Sequence, residues 1–553
     1  MMAFVAATMA RRGLLRPGPP VRVLRQFGAL RRWGFGLAGE LRQAAARDPD
    51  RIAVVDDERS VTYRELLERS VRIARALPVG PGDRVGILRR NSAAMIETIA
   101  GVAQTGADPV LINTGLSAEQ IIGIAADQHL RMIICDDEFP GDLPAARLEA
   151  MLVASSADDM EPTARRGGDR EPPARRRGAD LEPPARRGGA GDLEPSARHH
   201  GGGVEPTAHR RGGGDLEPPA RPGRTIVLTS GTTGLPKGAR RPTPTGFGPL
   251  CSIIDRIPLH AGARVMIAAP LFHTWGFAGL QIALALRATI VLRRRFEPAT
   301  CLAAAADCTA LIAVPVMLQQ ILEVPGTLPR LSVVAVSGSA LPGGLATRFM
   351  DRFGDVLYNL YGSTEASWAA IATPAELRLA PQTAGRPPRG TAMAVLDDSG
   401  RAVPPGTTGH LFVGNEMLFE GYTNGAAAAL EGGLLGTGDL GYIDDDGLVF
   451  VAGRSDDMIV SGGENIFPSE VEDLLAALPA VREVAVVGVA DPQYGQRLAA
   501  YIALNPGFAL DRDEVREHVR QHRARYCVPR DIIFVPSLPR NATGKILKRD
   551  LPG

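Results

Sequence analysis

Between Asp158 and Pro222 a unit built on Glu-Pro-x-Ala returns six times, starting at Glu161, Glu171, Glu182, Glu194, Glu205 and Glu217. Its period of 10 to 12 residues is too short for a helical solenoid, and each unit holds few aliphatic side chains among its prolines, glycines and opposed charges. Such a segment cannot bury enough apolar surface to offset its ordering entropy, so its composition predicts disorder. The fold must therefore accept a long insertion and be completed by sequence on either side of it.

On both sides the texture is globular. Val61–Asp83 shows helical spacing after a short strand and is closed by Pro78, Gly80 and Pro81. From Val85 to Asp137, short β-branched runs such as Val110–Ile112 and Met132–Cys135 alternate with helical stretches, the rhythm of a layered α/β domain. Order resumes at the apolar run Thr225–Thr229. The C-terminal stretch carries strands at Val484–Val489 and Ile532–Val535 and helices at Pro468–Ala477 and Arg512–Arg525. The expected fold is α/β: a large layered N-terminal domain of α/β subdomains, and a small mobile α+β C-terminal domain. The expected divisions are an Arg-rich extension over 1–39, the large domain over 40–157 and 223–453, the repeat insertion over 158–222, a joint at 454–457 and the small domain over 458–553. Globular texture is expected to begin near Leu41.

Composition removes several function classes. A formal charge of +1 over 553 residues leaves no basic surplus for nucleic acid. Five scattered cysteines, Cys135, Cys251, Cys301, Cys308 and Cys527, lack C-x-x-C spacing, which argues against a disulfide framework or zinc site and for a reducing, cytoplasmic location. Apolar runs fall short of the ~18 residues a spanning helix needs. The nearest approach, Leu271–Leu286, contains His273, Thr274 and Gln281 and reads as a buried segment. Seven arginines from Arg11 to Arg32 precede the first acidic residue, Glu40. A transit peptide or a segment making peripheral membrane contact has this make-up, but the whole chain is rich in Arg, Ala, Gly and Pro, and a plain extension is the expectation.

The sharpest chemical signal is Thr229-Ser230-Gly231-Thr232-Thr233-Gly234-Leu235-Pro236-Lys237-Gly238, set directly after a strand. Its glycines let the backbone approach a polyanion, its N–H groups and hydroxyls can ligate phosphate oxygens, and Lys237 adds charge. It lacks the Gly-Lys-Ser/Thr ending of a Walker A loop, which disfavours P-loop ATPases and kinases. Farther on, Tyr361 offers a flat face for an adenine, Thr364 a donor for a phosphate, Glu365 a hard oxygen for Mg²⁺, and Asp439 a carboxylate able to accept from two ribose hydroxyls.

The loop resembles the phosphate loop of the adenylate-forming superfamily, which holds acyl-CoA synthetases, firefly luciferase and peptide-synthetase adenylation domains. Four further segments match in the same order: Tyr361-Gly-Ser-Thr-Glu365, Thr437-Gly-Asp439, the stretch Gly453–Ile466, and Pro539–Lys545. The resemblance spans about 40 to 550 apart from the insertion. It implies that Thr229, Ser230, Gly231, Thr232, Thr233, Gly234 and Lys237 hold phosphates, with Gly338, Ser339, Tyr361, Gly362, Asp439 and Arg454 around the nucleoside. It implies Thr364 and Glu365 as the magnesium and catalytic pair, Lys545 as the catalytic lysine, Asp456 as a hinge, and Gly462 and Gly463 as lining of a pantetheine passage. His273 and Trp275 would be wall and gate of the acyl pocket, and Phe272-His273-Thr274-Trp275 is most like fatty-acid members. The implied activity is ATP-dependent, Mg²⁺-assisted ligation of a medium- or long-chain fatty acid to coenzyme A through acyl-AMP. Two alternatives stay open: a ligase for another carboxylic acid or for loading an acyl carrier protein, and an inactive nucleotide-binding regulator.

Overall fold

The computed structural model describes residues 1–139, 216–229, 236–426, 430–541 and 544–552. The repeat segment up to 215, and with it the expectation of disorder there, lies outside the described residues, as does the phosphate loop over 230–235.

The large domain is built on three sheets. One has eight strands in the order 370–372, 357–361, 333–336, 310–313, 264–267, 289–291, 52–55 and 60–62, parallel inside and antiparallel at both edges. A second runs 132–135, 84–88, 108–111, 226–229 and 237–240, parallel except for its last pair. Runs such as Val333–Val336 and Met132–Cys135 are buried at every residue, as strands covered on both faces must be. A third, antiparallel sheet joins 392–396, 409–414, 434–443, 430–431 and 449–454. The C-terminal domain has its own sheet from 459–466, 481–491, 495–504 and 531–534, and its own core around Val471, Val486, Ile502 and Val519. The expected α/β architecture of a large layered domain and a small C-terminal one is therefore what the structure shows. The helix Tyr63–Ala76 starts on a capping box in which the Thr62 hydroxyl accepts from the Glu65 N–H and the Glu65 carboxylate accepts from the Thr62 N–H. The apolar run at Leu271–Leu286 forms the helix Thr274–Ala285, mostly buried, and among the described residues no helix is long and apolar enough to cross a membrane. All five cysteines are buried and unpaired.

Two expected boundaries move. Globular structure does not begin near Leu41: helices Met2–Arg11, Pro20–Trp33 and Leu37–Arg47 precede or straddle it, with Met9, Leu14 and Leu30 buried. Arg11 pairs with Asp255 at 3.0 Å, Arg12 donates to the Ile254 carbonyl at 2.8 Å, and the Gln26 amide donates to Gln43 at 2.8 Å. The arginine count hid short helices whose packed positions are few, Thr8 and Met9 in the first and Gln26 and Leu30 in the second, while Val21, Leu24 and Phe27 stay exposed. The far end of the insertion also shortens. A Cβ on Gly223 would lie 2.0 Å from the Ala107 carbonyl oxygen, one on Gly106 would meet Arg221 and Pro219 at 2.8 Å, and the Arg224 N–H donates to Asp108 at 2.6 Å. Residues from Pro219 onward are thus part of the packed domain.

Excision of residues 158–215, which keeps the buried Leu216 and that packed stretch, should leave turnover within a few fold, because loop-closure cost changes by only about 0.6 kcal/mol per doubling of length. Loss of activity in a shortened chain of unchanged melting temperature would mean that the repeats touch the site or the substrate.

Candidate active site

A cavity of about 950 Å³ opens beyond the C-terminal ends of the parallel strands 333–336 and 357–361, where the loops of an α/β sheet gather. Ser337 and Gly338 leave the first strand and line it; Gly362, Ser363, Thr364 and Glu365 leave the second. The second loop is tight. A Cβ on Gly362 would sit 2.4 Å from the Ser367 carbonyl oxygen, and Ser367 is held at φ 64°, a left-handed backbone unusual for serine.

This turn presents its groups from several directions. The Thr364 hydroxyl is 2.8 Å from that of Thr274, the first residue of the helix Thr274–Ala285. Tyr422 donates its hydroxyl to Glu365 Oε1 at 2.8 Å. Behind them lies Arg241, buried, donating one Nη to the Thr364 carbonyl and the other to Ser367 Oγ at 2.8 Å. Burial pushes this guanidinium down to about 10, which leaves it charged at neutral pH, and Glu365 is the carboxylate that favours that charge. Thr229 and Lys237 face each other across the hairpin that carries the phosphate loop, and both line the cavity. Ser230, Gly231, Thr232, Thr233 and Gly234 lie outside the described residues.

Lys545 reaches the same cavity from the C-terminal domain. Its N–H donates to Asn541 Oδ1 at 2.9 Å, and the Asn541 N–H donates back to its carbonyl at 3.0 Å. Gly544 beside it has φ 81°, and a Cβ there would be 2.3 Å from Val316 of the large domain, so only glycine lets the loop come this close. A second contact, from the Gln319 amide to the Arg482 carbonyl at 2.5 Å, holds the two domains in this pose.

Other expected residues are placed less directly. Tyr361 and Asp439 bond to each other, hydroxyl to Oδ2 at 2.6 Å, and stand behind the wall that Gly362, Thr437 and Gly438 make. Burial pushes the Asp439 carboxyl up; the Tyr361 hydroxyl, Arg454 and Lys545 oppose that. Arg454 lines the cavity and donates to Asp456 at 3.0 Å, which holds the Asp456 carboxyl low. Ser339 points away, its exposed hydroxyl donating to the Ala340 carbonyl at 3.3 Å, and Ser337 lines the cavity in its stead. Gly462 and Gly463 are not at this cavity. They form the two-residue turn of a hairpin, at φ 61° and 90°, a geometry that itself calls for glycine.

His273 and Trp275 both line the cavity. Burial pushes the His273 imidazole down to about 4, so it is neutral at pH 7. Trp275 donates its indole N–H to the Ala313 carbonyl at 3.0 Å and is also part of the core. From here the cavity runs between Phe247, Leu250, Ile253 and Ile282, with Phe35 edge-on to Phe247 at 5.0 Å, and Glu40 and Gln281 line it as well.

No group of three or more metal-ligating side chains occurs among the described residues. One carboxylate with hydroxyls beside it, facing two lysines, suits a Mg²⁺ ion held mostly by phosphate oxygens and water, and Glu365 with Thr364 are the residues that would hold it. Sequence reading gives no role to Arg241, Tyr422, Thr274, Ser337 or Asn541. Arg241 and Tyr422 act through partners remote in the chain, and nothing in their own neighbourhood marks them; Thr274 and Asn541 lie inside segments that the motifs already single out.

Residues 41–423 match the AMP-binding enzyme family, and residues 470–545 match the AMP-binding enzyme C-terminal domain. The chain is 30% identical over 530 residues to feruloyl-CoA synthase from Amycolatopsis sp., covering 93% of this chain and 98% of that protein. It is 28% identical over 530 residues to fatty acid–[acyl-carrier-protein] ligase ScoC from Streptomyces coeruleorubidus, covering 92% and 94%. Among solved structures it is similar to o-succinylbenzoate CoA synthetase from Bacillus subtilis in complex with its acyl-adenylate intermediate, at a TM-score of 0.76 and 26% identity over 92% of this chain and 97% of that one.

Proposed function

This chain belongs to the AMP-binding enzyme family, and from that premise we propose that it is an acid–CoA ligase working through an acyl-adenylate. The observation that carries the reading is that Lys545 of the small domain shares one cavity with Thr364, Glu365 and Lys237 of the large one. In the first step a carboxylate oxygen of the acid bonds to the α-phosphorus of ATP as the bond to pyrophosphate breaks. Lys545, Lys237 and the Thr364 hydroxyl face the charge that builds on the phosphoryl oxygens. Mg²⁺ at Glu365 would neutralise the pyrophosphate oxygens. In the second step the CoA sulfur bonds to the acyl carbon as AMP leaves, and the thiol proton passes to solvent.

The finer substrate is a matter of the acyl arm. A fatty acid is supported by the apolar walls and by the carrier-protein ligase among the relatives. An aryl acid is supported by the relatives named for feruloyl and o-succinylbenzoate groups, and by the Glu40 Oε1 and the Gln281 amide, which an alkyl terminus would leave unpaired. The second reading is the one we favour.

Pyrophosphate release across a panel of alkanoic and aryl acids, with CoA or carrier protein as acceptor, tests the proposal. Absence of release with every acid would return the chain to a binding role. On the same panel, Trp275→Ala should shift preference toward longer or bulkier acids with the ATP KM nearly unchanged, because the indole forms a wall of the acyl arm and not of the nucleotide site. Unaltered preference would make Trp275 a core residue only.

A further inference from the structure

Phe35 and Glu40 line the acyl arm, yet both precede residue 41, where the match to the family begins. This part of the wall comes from the helix Leu37–Arg47 and the turn before it. Glu40 sits in the first turn of the helix Leu37–Arg47 and is only 6% exposed. Its Oε2 accepts from the Gln43 amide at 3.2 Å. That amide is shared with the Leu284 and Ala285 carbonyls at 3.2 and 3.3 Å, and Oε1 has no hydrogen-bond partner among the described residues. The nearby Arg287 directs its Nε to Asp48 at 3.1 Å. Burial pushes the Glu40 carboxyl up to about 8 against the pull of Gln43 and Arg287, so at neutral pH it is largely a protonated acid, able to donate and accept. A favourable first-turn position on a helix would be served as well by an exposed carboxylate; it does not account for burial in an apolar chamber.

Gln281 is the second polar group there. It too lines the cavity, and its amide has no hydrogen-bond partner among the described residues. It lies seven residues along the helix from Thr274, whose hydroxyl meets Thr364, a rise of roughly 10 Å. A buried acid and a half-buried amide thus line the same cavity, the amide about one small-molecule length from the reacting end, and Gln43 ties the acid to the C-terminal turn of the amide's own helix.

Resting on the ligase reading above, we propose that Glu40 and Gln281 select acids that carry a hydroxyl group at the end opposite the carboxylate, each side chain taking one of that hydroxyl's two hydrogen-bonding roles. A terminal methyl or unsubstituted ring would leave the Glu40 Oε1 and the Gln281 amide unpaired, which is how a polar pocket rejects a substrate that lacks the matching group.

The test uses matched pairs: a cinnamic acid with and without a para-hydroxyl, and an alkanoic acid with and without an ω-hydroxyl, read as kcat/KM for pyrophosphate release by the full chain. The wild type should favour the hydroxylated member of at least one pair by about tenfold or more. Gln281→Leu and Glu40→Leu should each abolish or reverse that preference while the ATP KM stays put. If Glu40→Leu fails to fold, Gln281→Leu carries the same readout. Turnover without a preference in either pair, or a preference that survives both substitutions, overturns the inference and leaves the ligase reading standing. No turnover with any acid sinks the two together.

Discussion

Replacing Lys545 by alanine should slow acyl-adenylate formation about 10²–10³-fold, the ~3–4 kcal/mol that loss of one preorganised charge at a transition state costs. The lysine faces the cavity shared by Thr364 and Glu365, and its loop is pressed against Val316 in a pose suited to the first half-reaction. Acyl-AMP supplied from outside should still be converted to acyl-CoA by the variant. Gly463→Leu should behave in the opposite way. Nothing lies within 4 Å of a Cβ at Gly463 in this pose, so a leucine there adds only backbone strain, about 1–2 kcal/mol for a left-handed residue, and pyrophosphate release should survive. Thioester formation should stall if, as the family resemblance implies, the small domain turns about Asp456 and brings that hairpin to the thiol passage. Single-turnover assays with labelled ATP followed by a CoA chase read both steps on one sample. Equal slowing of both steps by both variants would exclude domain alternation for this chain.

Arg241→Met should lower the rate of pyrophosphate release by about two orders of magnitude with a loss of stability of only about 1–3 kcal/mol, the range for a broken hydrogen bond between buried groups. Its guanidinium ties the Thr364 carbonyl to the Ser367 hydroxyl and so sets the turn that aims Thr364 and Glu365. The Mg²⁺ concentration for half-maximal rate should rise, a change that general destabilisation would not produce. Arg241→Lys should rescue poorly, since a single ammonium cannot span two acceptors as a planar fork does. Normal turnover and Mg²⁺ dependence in the methionine variant would reduce Arg241 to a packing element.

The residues proposed for phosphate and metal chemistry have signals in the sequence that are local. Gly362 lies in a segment whose chemistry reads off adjacent letters, and its backbone cannot accept a side chain. Strands such as Val333–Val336 and helices such as Tyr63–Ala76 were equally plain, since burial and capping act over a few neighbours. Where long range decides, the reading went astray. The arginines before Glu40 conceal two helices, one of which meets residues near 255 through Arg11 and Arg12, while the other packs on the helix Leu37–Arg47. Ser339 yielded its place to Ser337 because the chain turns outward after the strand end. Glu40, in the sequence only the first acidic residue, becomes a buried acid of the acyl arm once the fold packs its helix against Leu284 and Ala285 through Gln43.

The sequence by itself determined the family, the two-domain α/β architecture and the nucleotide chemistry, because those rest on short motifs that must keep their spacing to work. Only the tertiary structure decided what supports those motifs and what closes the acyl arm. Arg241 and Thr364 are 123 positions apart, Tyr361 and Asp439 78, and the burial that raises Glu40 comes from a helix more than 200 residues away. Contacts at such separations have no periodicity to read, and they exist only after the sheets have brought the strands' ends together.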